Sequence, residues 1–117
     1  MRTRFALATA AAVLALVNSA AAHHGWSGYD AGQVLTVTGV IREAGYEHPH
    51  GYVVLETKDK TWTVVLAPPS RMENRGLPRT ALTAGTTATI VGYPNRTDPK
   101  EMRAERITIA DKTTELR

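Results

Sequence analysis

The sequence predicts a mainly β domain, a small five-stranded OB-like barrel with one short helix between strands three and four. Three observations lead there. Five short segments rich in β-branched residues are separated by turn-forming Gly, Pro, Asn and Asp. A helix-opening pattern occurs once, between the third and fourth of these segments. The chain contains no cysteine, so a small exported domain cannot lean on disulfides. A sheet curled and closed on itself encloses a core and removes exposed edges.

The first residues do not belong to that barrel. Arg2 and Arg4 precede the apolar run Phe5 to Val17, and "NSAAA" then supplies small residues. This is the layout of a secretory signal peptide over residues 1–22. The apolar run falls short of the roughly 20 residues that a spanning helix needs. Cleavage after Ala21 or after Ala22 fits the small-x-small rule equally well. The expected location is periplasmic or secreted, with no stable membrane anchor after cleavage. About 95 residues then remain, one small domain. Removing Arg2 and Arg4 lowers the formal charge of +3 to near +1, which gives little pull on nucleic acid.

Residues 23–32 read as a flexible N-terminal arm, 33–110 as the barrel and 111–117 as a C-terminal tail. Strand one is Gln33 to Ala44, with Leu35, Val37 and Ile41 on one face and a bend or bulge near Gly39 and Val40. "GYVVLET", the turn "KDKT" and "WTVVLAP" form the clearest hairpin, in which Trp62, Val64 and Leu66 alternate with Thr61, Thr63 and Val65. Pro68 and Pro69 end that strand. Ser70 and Glu73 have capping-box spacing for a helix that Gly76 and Pro78 stop. Arg71 and Arg75 suit the negative end of its dipole, and "RTALTAG" allows one more helical turn. Strand four is Thr86 to Pro94, with Ala88 and Ile90 on one face. Strand five is Arg103 to Ala110, with Ile107 and Ile109 inward.

The chemistry-bearing residues are the histidines. All four fall in two clusters, His23 with His24 at the expected mature start and His48 with His50 in "YEHPHGY". In extended backbone the rings of His48 and His50 would project to one side. Imidazoles suit late first-row metals, among which copper(II) binds most strongly of the divalent ions. If His23 becomes the first residue, its α-amine and ring can chelate copper together. If Ala22 is first, the amine, two backbone nitrogens and the His24 ring can form a square-planar site. Zinc also suits histidine-only sites. The candidate metal ligands are therefore His23, His24, His48 and His50, with copper as the cofactor they fit best. The bland alternative is a solvated arm with a satisfied polar His50. Met72 and Met102 are candidate thioether donors, though single methionines more often fill core gaps.

Trp26, Tyr29 and Tyr46 are the candidate ligand-contacting aromatics, and packing of Trp26 and Tyr29 against the barrel is the competing reading. An OB-like barrel also raises nucleic acid, with Tyr46, Tyr52, Trp62 and Tyr93 as stacking candidates and Arg71, Arg75, Arg79, Arg96, Arg103 and Arg106 as charges. The export signal and balanced charge argue against it, so no nucleic-acid partner is expected. Catalysis is not expected either: Ser27 and Ser70 have no evident base, and Glu47 beside His48 and His50 has no placed partner. The leading functional expectation is metal binding. The alternative is a metal-free periplasmic module that binds a protein or small ligand.

The motifs "AHHGWSGYD", "VTGVIREAGYEHPH", "WTVVLAPPSRMENRGL", "LTAGTTATIVGYP" and "MRAERIT" carry a resemblance. They resemble a family of small secreted bacterial proteins, domain of unknown function 6152, over nearly the whole mature chain. The resemblance implies export, an OB-like barrel and a role for the histidines, and it supplies no mechanism. The family pattern has asparagine before the Pro-His pair, where this chain has His48. That departure adds a possible ligand.

Overall fold

The alternation of apolar residues along each strand decides which face turns inward, and the structure follows it. This computed structural model describes residues 25–117. The segment 1–22 with its expected cleavage point, and His23 and His24, lie outside the described residues. The strands are β1 (Leu35–Gly45), β2 (Tyr52–Thr57), β3 (Thr61–Val65), β4 (Thr87–Pro94), β5 (Glu101–Ile109) and β6 (Lys112–Glu115). Helix α1 (Pro69–Asn74) and a 3₁₀ turn (Arg79–Leu82) lie between β3 and β4. The strand order is β3-β2-β1-β4-β5-β6, and a parallel pairing of β3 with β5 closes the barrel.

β1 is shared between two partners. Leu35 to Val40 pair with β4, and Gly39 to Gly45 pair with β2. The bend expected near Gly39 falls slightly later, as a register shift between Ile41 and Glu43. Gly39 itself pairs with both partners, and a Cβ there would stand 2.2 Å from the Glu56 carbonyl oxygen of β2. A curled sheet needs both devices. Inside lie Ile41, Val53, Leu55, Val64, Leu66, Ile90 and Ile107, all fully buried. Each such side chain contributes about 1.5–3 kcal/mol of transfer free energy. Met72 and Met102 belong to this same core, so both fill space rather than face an ion at the surface.

The helix differs from expectation at its start. Pro68 occupies the N-cap without a side-chain cap bond, and Pro69 is already helical. Proline at that position loses no hydrogen bond and presets φ. Ser70 therefore falls inside the first turn and the capping box does not form. The helix ends as a Schellman motif: Gly76 has φ +83°, its N–H donates to the Glu73 carbonyl, and the Leu77 N–H donates to the Met72 carbonyl at 2.8 Å. Arg71 lies in the last turn of the helix and Arg75 at its C-cap, where their charges suit the dipole, and both also reach the C-terminal segment. Arg71 donates to the Leu116 carbonyl at 3.0 Å, and Arg75 donates to the carbonyls of Glu115 and Arg117.

These bonds hold the segment expected as a tail. β6 pairs antiparallel with β5 through a tight turn in which Ala110 and Asp111 both have positive φ, the geometry a two-residue hairpin prefers. Leu116 is then buried. The other end differs as well. In place of a flexible arm, Trp26–Gly28 form a 3₁₀ turn. Tyr29 bridges Asn95, and Asp30 donates its N–H to the Pro94 carbonyl. Arg96 returns two bonds, to the carbonyls of Gly28 and Ser27.

Candidate ligand-binding face

The outer sides of β2, β3 and β5 adjoin through strand pairing, with the N-terminal segment packed over β5 at Arg103. Inward Val53, Leu55, Trp62, Val64, Met102 and Ala104 leave Tyr52, Thr63, Val65, Glu101 and Arg103 on the other side. Register places Tyr52 opposite Val65, Val65 beside Arg103, and Thr63 beside Glu101. The loop between β1 and β2 borders one end, and the β4–β5 loop borders the other.

At the β4–β5 loop the face opens into a groove of about 530 Å³ lined by Lys60, Thr61, Thr63, Pro99 and Lys100. Lys60 is held in place: its ammonium lies 3.9 Å from the Trp62 ring centroid and donates to the Pro99 carbonyl at 2.5 Å. A smaller hollow of about 240 Å³ lies on the other side of Lys60, reaching Thr36, Thr38, Asp59 and Trp62.

At the other end Arg103 organises the face. Only 6% of its surface is exposed. Its guanidinium lies 4.3 Å from the Trp26 ring centroid and 5.9 Å from that of Tyr29. Nη2 is 3.4 Å from His50 Nε2. Arg117 covers the Trp26 ring at 4.5 Å, and Tyr93 meets Trp26 edge-on. Tyr29 donates its hydroxyl to Glu101 at 2.5 Å, and Asn95 donates to the same carboxylate oxygen at 3.0 Å. Burial, then the bond to Glu101, pushes the Tyr29 phenol up to about 12. His50 is held below its ordinary 6.5, first by burial and then by the positive charges of Arg103 and Arg71. Burial also lowers Arg103.

The predicted site residues are thus sorted by the fold. Trp26 and Tyr29 pack against the barrel beside Arg103. His50 joins them, half-buried, from a loop that carries a cis peptide between His48 and Pro49. His48 is exposed. Tyr46 is a core residue rather than a ligand platform: it is 7% exposed, and its hydroxyl donates to the Leu77 carbonyl. Among the described residues no three His, Cys, Asp or Glu side chains gather closely enough to hold a metal ion. None of their helices is long and apolar enough to cross a membrane.

Sequence reasoning missed the groove and the place of Arg103. A lysine flanking a turn and threonines on an outward strand face give no local signal. Arg103 meets His50 only because β3 and β5 pair in parallel, a contact between segments 53 residues apart.

A closed sheet in this strand order, with its helix between β3 and β4, is a small OB-type β-barrel. The chain belongs to a family described as a family of unknown function (DUF6152), which matches residues 10–102. No curated protein matches it. Among solved structures it is similar to TiaS in its complex with a transfer RNA and ATP, at 17% identity and a TM-score of 0.52, covering 76% of this chain and 20% of that one. It is similar also to a ZRD-deleted mutant of TiaS in complex with agmatine, at 19% identity and a TM-score of 0.51, covering 73% and 24%. The chain spans at most about a quarter of those proteins, and the likeness is one of fold.

Proposed function

We propose that this protein is an extracytoplasmic binding module that takes a small ligand on the outer face of β2, β3 and β5, without a metal. The observation that carries the reading is the groove of about 530 Å³ beside Thr63 and Lys100. Its size lies within the range of small-molecule sites, and it lies on the face that OB barrels use for ligands. Its lining offers two lysines, two threonines and a proline. It has no ring on which a nucleic-acid base could stack, which argues for a small ligand over a single strand. A screen of small polar molecules by amide chemical-shift mapping tests this: hits should perturb residues 60–65 and 99–103, and Thr63→Arg should abolish them.

A second reading is metal binding through His23 and His24, with copper the fitting ion. The docking of Trp26 against Arg103, which touches His50, favours it, because His24 and His23 precede Trp26 by only two and three residues. A neutral His50 is the protonation state a metal needs. Against His50 as the joining ligand stand the two guanidinium charges beside it, which repel a dication. Copper(II) titration separates the cases. Binding lost in His24→Ala and unchanged in His50→Gln supports a site on the arm alone. No binding tighter than about 1 mM overturns the metal reading.

A further inference from the structure

We infer that His50, Arg71 and Arg103 form a subsite for an oxyanion group, carboxylate or phosphate, of the ligand that occupies the outer face. This rests on the reading of that face as the ligand surface and names the chemistry at its second end.

Charge accounting carries the inference. Three ion pairs occur among the described residues: Arg42 with Glu56, Arg106 with Glu115, and Arg117 with Glu105. Arg103 and Arg71 are in none of them. The two carboxylates nearest along β5 are engaged elsewhere. Glu101 accepts from Tyr29 and Asn95, and Glu105 accepts from Tyr93 and Arg117. Arg103 is nevertheless deeply buried, a state that a charge normally occupies only when paired. The faces of Trp26 and Tyr29 compensate in part. They leave its Nε without an acceptor, one of two such buried side-chain atoms among the described residues. An unmet buried donor on an unpaired cation is a place where an anionic partner would be stabilised.

The surrounding groups fit an oxyanion. A guanidinium presents donors in a planar fork that matches carboxylate and phosphate. His50 Nε2 stands 3.4 Å from Nη2, so an oxygen can accept from both when the imidazole proton is on Nε2. Arg71 is close enough to act electrostatically on both His50 and Arg103. Its guanidinium donates to the Leu116 backbone carbonyl, which satisfies a donor and leaves the charge uncompensated. An arriving anion would also draw His50 toward its protonated, doubly donating form.

The test is an NMR titration of the protein with inorganic phosphate and with succinate, following the Arg103 Nε–H and the His50 ring, with chloride at matched ionic strength as control. Saturable shifts with either anion and not with chloride are expected. The affinity should weaken about ten-fold or more in Arg71→Gln and in Arg103→Lys, and Arg42→Gln, at an exposed ion pair with Glu56, should leave it unchanged. Saturation by phosphate alone assigns a phosphoryl group, and saturation by succinate alone assigns a carboxylate. Shifts that follow ionic strength in chloride as well, or undiminished binding in both arginine variants, overturn the subsite. The partially exposed Arg71 keeps the test valid if Arg103→Lys fails to fold. Loss of the subsite with groove binding intact overturns this inference alone. Loss of groove binding with phosphate saturation intact overturns the wider reading alone.

Discussion

The Arg103 guanidinium lies 4.3 Å from the Trp26 ring centroid, and that contact ties the N-terminal segment to the barrel's closing strand. A cation on an aromatic face is worth about 0.5–2 kcal/mol, more when desolvated. Trp26→Ala should therefore lower stability by about 1–2 kcal/mol in urea unfolding. It should also speed hydrogen exchange at Asp30, whose amide donates to the Pro94 carbonyl. Unchanged stability together with unchanged exchange would show that the segment is held without Trp26.

Tyr29 makes the companion contact. Its phenol donates to Glu101 at 2.5 Å, and hydrogen bonds to charged acceptors contribute about 1.5–3 kcal/mol. Tyr29→Phe should cost about 1–2 kcal/mol, since Asn95 still donates to the same carboxylate. The phenol's folded value of about 12 stands above its ordinary 10.0. The folded chain thus keeps the proton longer than the unfolded one, and stability from Tyr29 is full below pH 10 and lost as pH rises toward 12. Absorbance titration of the tyrosines should lose its latest-ionising component in Tyr29→Phe.

His50 gives the opposite pH dependence. Burial, Arg103 and Arg71 hold the imidazole below 6.5. The unfolded chain accepts the proton first, so stability from His50 is present above pH 6.5 and falls as pH drops through the folded value. His50→Gln should flatten the decline of stability below that pH. By NMR, the His50 midpoint should rise in Arg71→Gln, which removes one of the two repelling charges. A midpoint at or above 6.5 in the parent protein would contradict the described environment.

Gly92 tests the seam between β4 and β5. A Cβ there would lie 2.1 Å from the Arg103 carbonyl oxygen and 2.9 Å from the Ala104 Cα. It faces backbone rather than a movable side chain. Gly92→Ala should cost about 3 kcal/mol, the upper part of the usual overpacking range. Chemical denaturation would show it, and a loss below about 0.5 kcal/mol would mean that β4 and β5 separate more easily than their register implies.

The elements and the face residues were legible to different degrees. The β2–β3 hairpin was readable because Trp62, Val64 and Leu66 alternate cleanly with polar partners, and the strands that close the barrel follow the same rule. β6 was not, because its turn uses Ala110 and Asp111 at positive φ with no glycine to announce it. The helix starts earlier than its serine suggests, because the proline at N1 outranks a serine one residue later. Trp26 and Tyr29 pack against the barrel, the competing reading of these two aromatics near the first histidines. Tyr46 looks similar in sequence, but its hydroxyl finds the Leu77 carbonyl in the interior. The partner of His50 could not be read locally. Pairing of β3 with β5 sets it, and nothing near position 50 encodes that contact.

On the proposed reading, the outer face of β2, β3 and β5 is the ligand surface. The most direct measurement is an amide chemical-shift map of the protein with the tightest small ligand from the polar screen, repeated in Thr63→Arg. Saturable shifts confined to residues 60–65, 99–103 and the neighbourhood of His50 are expected, with their loss in the variant. Shifts centred on α1 or the β5–β6 turn, or binding that survives Thr63→Arg unchanged, would contradict it.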